Sequence, residues 1–342
     1  MARSSGPIGV AIVGTRFGNL HAEAVSELPE RARLVAICSR REEQARYSAQ
    51  QFGAELATTS FEQVLRHPGV EAVHLCVPHD LHAPMAIAAA DAGKHILTEK
   101  PIAMTVEDAD RMIEAADRVG VVLMVSHNQR FLQHHQRAKD LVASGTIGEV
   151  FLCRGVFQGY SPIKGWRHKV AQVGGGVLID SGIHRIDLLR WIVGEVASVQ
   201  GESGRFIHQE MEGEDTAVIL LRFVTGAIGQ VICSWGVKTP IRDESLVLCG
   251  TKGTIWAENS TLSLRMAVEE APGQMGPIQD ESLLAVSYPD SVKLAIAHFL
   301  ECIEEHKQPV VTAVDAREAV RIAQAAYRAI QTGERVSLKG ER

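Results

Sequence analysis

The sequence predicts an α/β protein in two parts: an N-terminal doubly wound parallel sheet, then an α+β domain with a large open, mainly antiparallel sheet. Three observations predict it. The first 125 or so residues alternate short, wholly apolar runs with longer helical patterns, as strands of a parallel sheet covered on both faces do. From about residue 126 the texture changes to consecutive strand-length runs joined by glycine-containing turns such as VTGAIG and CGTKGT, which are hairpin connections. The length, 342 residues, exceeds what a single core usually spans.

Taken in order, the apolar runs at 8–13, 33–38, 72–77, 95–97 and 121–125 predict strands. Helical periodicity fills the intervals at 18–28, 41–52, 61–66, 81–92 and 106–119. Beyond the change of texture, strands are expected at 149–157, 217–223, 227–235, 245–249 and 254–257. Helices at 176–193, 291–306 and 314–332 are expected to cover one face of that second sheet. The stretch 269–279, rich in Gly, Pro and Gln, reads as a loop, and His134 and His135 read as surface residues of a helix. The division falls between residues 127 and 128, with helix 314–332 placed to pack back on the first domain.

Composition excludes several classes of function. A formal charge of −6 leaves no basic footprint for nucleic acid and no polybasic stretch for an anionic membrane. The apolar run after the short polar N-terminus is strand-length, far below a membrane span, and the expected location is cytoplasmic. Six cysteines, at 38, 76, 153, 233, 249 and 302, form no CxxC pair and sit mostly in apolar runs, so they read as buried free thiols.

The first strand ends in Gly14-Thr15-Arg16-Phe17-Gly18, followed by a helix. Glycines there let the chain turn tightly and bring backbone N–H groups of the helix N-terminus against a pyrophosphate. The motif departs from GxGxxG, with Arg16 in the middle position and Asn19 in the third, and a strand–Gly–helix turn is also simply a good turn. Its place in the first turn of an alternating half-chain favours a dinucleotide. The second strand ends in Ser39-Arg40-Arg41, where an NAD enzyme tends to carry an acid for the ribose 2′-hydroxyl. A hydroxyl and two guanidinium groups suit a 2′-phosphate, so NADP is expected over NAD, the alternative being that the arginines are a solvated helix start.

The most specific stretch is 70–105, with Val77-Pro78, His82, AGKHIL and Glu99-Lys100-Pro101. With Asn128-Gln129-Arg130-Phe131, Gly165-Trp166-Arg167 and GGGVLIDSGIHRIDLLRWIVGE from Gly174, it resembles the glucose–fructose oxidoreductase/inositol dehydrogenase (Gfo/Idh/MocA) family over nearly the whole chain. The resemblance implies a Rossmann domain, NAD(P)-dependent oxidation or reduction of a sugar-like substrate, and homodimers or homotetramers formed through the C-terminal sheet. It places Lys100 near nicotinamide and substrate and completes the catalytic set with Asp180 and His184. Val77, Pro78, His82, Glu99, Pro101 and Asn128 then fall among the cofactor contacts. Arg16 and His79, which stands where relatives often have asparagine, depart from the pattern.

Residue chemistry agrees with that set. Oxidising an alcohol carbon requires a group to take the hydroxyl proton, and imidazole titrates near neutrality, so His184 is the expected general base. Asp180 lies four residues earlier, on the same helical face, where a carboxylate orients the ring. Lys100, before a proline of fixed φ, is expected to stabilise alkoxide character on the reacting oxygen. Asn128, at the carboxyl edge of the last strand of the first sheet, is expected to touch nicotinamide or substrate. Trp166 and Arg167 read either as a wall of the substrate site or as core and ion-pair partner. Taken alone, Asp180 and His184 would read as an ordinary helix-surface pair. They are also two potential metal ligands, but no third stands at a compelling spacing, so no metal is expected. Two further readings compete: a non-catalytic NADP-sensing regulator on the same scaffold, and a glycosidase that oxidises its sugar only transiently.

Overall fold

The computed structural model describes residues 6–339. It divides into two compact units, one of the residues up to Asn128 with Tyr288–Arg317, the other of Gln129–Ser287 with the residues from Glu318 onward.

The first unit alternates β1 (Ile8–Val13), α1 (Gly18–Ser26), β2 (Ala32–Cys38), α2 (Glu42–Phe52), β3 (Leu56–Thr58) and α3 (Phe61–Arg66). It continues with β4 (Ala72–Leu75), α4 (His82–Asp91), β5 (His95–Thr98), α5 (Val106–Val119) and β6 (Leu123–Val125). The strands form one sheet in the order β3-β2-β1-β4-β5-β6, every neighbouring pair parallel. Every residue of β1 and β4 is buried, which is why these strands read as unbroken apolar runs. Helix ends follow local chemistry. Thr105 accepts from the Asp108 N–H at the start of α5, and Gly53 and Gly120 supply the left-handed turn that ends α2 and α5. The strand order reverses between β1 and β4, the crevice where doubly wound sheets bind ligands.

The second unit contains α6 (Gln133–Ala143), β7 (Val150–Gln158), α7 (Val170–Val173), α8 (Ile183–Val193), β8 (Val196–Gly204), β9 (Thr216–Phe223) and β10 (Ile228–Ser234). Then come β11 (Asp243–Gly250), β12 (Gly253–Glu258), β13 (Ser263–Ala271), β14 (Gln274–Met275) and β15 (Gln279–Asp280). Among the described residues its sheet has ten strands, antiparallel except for the central pair β7 and β10. Burial alternates strictly along β9: one face is covered, and on the other Leu220 and Arg222 are exposed.

Four expectations change. The 291–306 helix does not cover the second sheet: as α9 (Tyr288–Glu305) it packs on α1 and β5, in the first unit, although the division at 127/128 keeps it with the second. Its apolar stripe specified a helix but not the partner. The stretch 269–279 is no simple loop, since β14 and β15 both pair with β13. The 176–193 helix opens as one turn of π-helix over Leu178–Gly182 before α8. His134 and His135 are buried, because α6 packs between α8 and the β12–β13 hairpin. The last helix, α10 (Ala313–Thr332), leads to β16 (Val336–Ser337) on the edge beside β8. No helix among the described residues is long and apolar enough to cross a membrane.

Candidate active site

The nucleotide end lies in the first unit. Gly14 has φ +100°, and a Cβ there would stand 2.1 Å from the Cys76 carbonyl oxygen, so only glycine fits between β1 and the chain after β4. Gly18 opens α1, whose first turn has neither a side-chain cap nor an acidic residue. Its N–H groups at the switch point are therefore donors for an anion, which fits a dinucleotide pyrophosphate. Thr15 Oγ1 lies 3.3 Å from Ser39 Oγ, tying the tip of β1 to the tip of β2. Arg16, Arg40 and Arg41 are exposed, and neither Arg40 nor Arg41 has an acidic partner among the described residues.

At the end of β5, Glu99 precedes Lys100, and the Lys100–Pro101 peptide is cis. His82 is buried, with Nδ1 2.8 Å from the Pro101 carbonyl oxygen and Nε2 3.0 Å from that of Val77. His82 thus lies between the Val77 and Pro101 turns, and as a neutral ring it donates its single N–H to one of the two carbonyls. Burial lowers its pKa although both carbonyls favour the imidazolium. Burial alone would raise the Glu99 carboxyl, but its hydrogen bond with His21 and the charge of Lys100 hold it below its ordinary value. Asn128 is buried and donates to Ser291 Oγ at 2.7 Å.

In the second unit Asp180 sits in the π-turn and His184 in the first turn of α8, both buried. Arg167 Nε donates to Asp180 Oδ2 at 2.5 Å, and its guanidinium lies 4.9 Å from the centroid of the Trp166 ring. Arg167 is thus an ion-pair partner, and Trp166 its stacking surface. The glycines before the turn are there for close approach: a Cβ on Gly175 would meet the Tyr327 hydroxyl at 2.1 Å, and one on Gly176 the Glu214 carbonyl oxygen at 2.0 Å. The Tyr327 hydroxyl accepts from the Gly176 and Ile179 N–H groups and donates to Glu214 Oε1 at 2.9 Å, while Leu178 N–H donates to the same carboxyl oxygen. Helix-start donors are thereby satisfied by side chains from β9's approach and from α10. Burial raises the Glu214 carboxyl.

The second half of the Asn128–Phe131 motif fixes α8. Arg130 makes a bidentate pair with Asp187, at 2.9 and 2.5 Å, both side chains almost wholly buried. Gln129 Oε1 accepts from Arg185 Nη2. His21, Arg130, Arg185, Asp187, Glu214 and Tyr327 are the members of these networks that sequence reasoning missed. Only Arg130, Arg185 and Asp187 carried a signal, since they stand inside the motif stretches.

Residues 8–127 match the model of an oxidoreductase family with an NAD-binding Rossmann fold, named Gfo/Idh/MocA, and residues 135–256 match a Gfo/Idh/MocA C-terminal domain. The chain belongs to the Gfo/Idh/MocA oxidoreductase family. Among the family's curated members it is 30% identical over 336 residues to myo-inositol 2-dehydrogenase of Thermotoga maritima, covering 97% of this chain and 98% of that one. It is 29% identical over 341 residues to scyllo-inositol 2-dehydrogenase (NAD(+)) of Bacillus subtilis, with 97% and 96% covered. Among solved structures of the family, levoglucosan dehydrogenase in complex with NADH and L-sorbose superposes with a TM-score of 0.91 at 25% identity, covering 97% of this chain and 99% of the other. Aldose-aldose oxidoreductase from Caulobacter crescentus gives 0.87 at 27% identity, with 97% and 100% covered.

Proposed function

We propose that this oxidoreductase is a dehydrogenase or reductase of a sugar or cyclitol, with Lys100, Asp180 and His184 as its catalytic set and NADP preferred to NAD. What supports the reading most is the burial of Asp180 and His184 on one turn, since burying two ionisable groups is costly and is tolerated where it serves chemistry. The relatives named for inositols and levoglucosan, and one bound to L-sorbose, support the substrate class. The nicotinamide, when bound, carries the hydride. The uncapped start of α1 and Gly14 would hold its pyrophosphate, and Ser39, Arg40 and Arg41 the adenosine ribose with its 2′-phosphate. His184 takes the hydroxyl proton in oxidation and returns it in reduction. Asp180, itself paired with Arg167, orients that ring, and Lys100 stabilises negative charge on the reacting oxygen.

Two parts of the reading concern the molecule's surroundings. The open face of the ten-stranded sheet exposes Leu152, Leu220 and Ile228, and we infer that a second copy of this chain covers it in a homodimer or homotetramer in the cytoplasm. Light scattering that gave a monomer at micromolar concentration would contradict that assembly. The function is tested by following absorbance at 340 nm over a panel of cyclitols, aldoses and keto-sugars with both cofactors. Turnover with at least one polyhydroxylated substrate is expected, and none with any of them would overturn the proposal.

A further inference from the structure

Behind Lys100 lies a file of buried polar groups that the proposed catalytic set does not use. His74 in the middle of β4 and His21 on α1 are both fully buried. Their Nδ1 atoms lie 3.3 Å apart, and His21 Nε2 lies 3.2 Å from Glu99 Oε1. Phe17 stands edge-on to the His21 ring and Phe299 to the His74 ring, so the file runs through an apolar slot. Among the described residues His74 Nε2 has no hydrogen-bond partner.

These distances leave one assignment of protons for a neutral file. A carboxylate oxygen faces His21 Nε2, so that nitrogen carries the hydrogen and Nδ1 is an acceptor. His74 must then donate from its own Nδ1, which leaves the orphaned Nε2 as a bare lone pair in an apolar slot. A core built for packing alone would place an apolar side chain at His74. Keeping a histidine there, at the cost of an unpartnered nitrogen, makes sense when its other nitrogen has a task.

We propose that His74 and His21 are positioning residues, a polarised hydrogen-bond file that keeps the Glu99 carboxylate ionised and oriented as the fixed negative neighbour of Lys100. Both rings point their N–H groups toward Glu99, and Glu99 stands at the carboxyl end of β5 immediately before Lys100. The charged and titratable groups facing Glu99 are His21 from α1, Lys100 on its own segment, His82 from α4 and the Cys76 thiol after β4. His82 is occupied by backbone, and burial with the Glu99 charge pushes the Cys76 thiol up and keeps it neutral. His21 is therefore the group whose loss frees Glu99 to take a proton in the working pH range. The proposal rests on the assignment of Lys100 above.

Two measurements test it. Nitrogen-15 NMR of the histidine rings reads the file without any substrate. The expected tautomers are Nε2–H for His21 and Nδ1–H for His74, and the Nε2–H tautomer on His74 would overturn the proposal. Single-turnover hydride transfer against pH is then compared for the unmodified protein, His21→Leu and His21→Gln. His21→Leu is expected to lose roughly tenfold or more at pH 6 and to recover as the pH rises and Glu99 ionises. Its cofactor Kd should stay within about threefold, and His21→Gln, whose amide still donates to Glu99, should restore most of the rate. An unchanged profile in His21→Leu, or a loss equal at every pH that Gln does not rescue, would overturn it. Should the unmodified protein oxidise no polyhydroxylated substrate, the proposed function fails while the tautomer measurement still decides the file.

Discussion

In the proposed function Arg40 and Arg41 carry the preference for NADP, and their state in the structure bears on how strongly. Both are exposed and without acidic partners among the described residues, so no intramolecular ion pair has to break before they meet a 2′-phosphate. Arg40→Ala is expected to narrow the preference for NADPH over NADH by about 1.5–3 kcal/mol, the worth of a hydrogen bond to a charged group. Fluorescence titration of both cofactors checks it, and tighter binding of NADH by the unmodified protein would overturn the preference. The tip of β2 could be read from Ser39-Arg40-Arg41 because the strand is a plain apolar run ending in polar residues. The surroundings of His82 could not be read: its ring lies between the carbonyls of Val77 and Pro101, and the second of these is 19 residues away in the chain.

At the scale of elements, the π-turn before α8 is the piece of the fold that holds two members of the proposed catalytic set. Asp180 and His184 are held by a turn whose N–H groups are satisfied by Glu214 and Tyr327, side chains 113 residues apart in sequence. No local pattern could announce that clamp, in which Gly175 and Gly176 before the turn serve close packing. Tyr327→Phe removes the hydroxyl that accepts from Gly176 and Ile179 and donates to Glu214, leaving buried groups unpaired. A loss of about 1–3 kcal/mol in stability follows, read by thermal unfolding. kcat is expected to fall with it while cofactor Kd is retained, because the nucleotide end belongs to the other unit. Loss of cofactor binding with normal kcat would contradict this account of the turn. Most strands and helices, by contrast, were legible because apolar runs and 3.6-residue periods are local signals, but β3, β8, β13 and the two-residue strands β14 to β16 were not foreseen. What periodicity could not supply was the partner of each apolar stripe, which is how α9 came to be placed on the wrong sheet and α6's two histidines on the surface.

For the whole molecule, the buried histidines set the response to acid. Burial lowers His74, His82 and His135, the first and last of them far below the ordinary imidazole value. Above about pH 6.5 these rings are neutral folded or unfolded, so they do not affect the balance. Below it the unfolded chain takes up protons that the native rings refuse, and stability is lost as pH falls toward the folded values. Each contributes a slope of up to about 1.4 kcal/mol per pH unit. Glu214, raised by burial, works in the opposite sense by binding its proton more readily in the native state, but it is one group against these three together with His134 and His298, which burial also lowers. Urea unfolding at pH 5 and pH 7.5 should therefore show a clearly lower midpoint at pH 5, and equal midpoints would contradict the neutral-histidine picture.

The central claim concerns what Lys100, Asp180 and His184, the proposed catalytic set, each do in the reaction. The most direct test measures NADPH affinity and single-turnover hydride transfer on the same two variants, His184→Ala and Lys100→Met, with the best substrate of the panel. Both should bind cofactor normally. The His184 variant should transfer hydride about 10²–10⁴-fold more slowly in the oxidative direction, with the ionisation of the base gone from its pH profile, and the Lys100 variant should also be strongly impaired. Near-normal hydride transfer in both would contradict the account, and loss of cofactor binding in both would mean that these residues serve the scaffold and not the reaction.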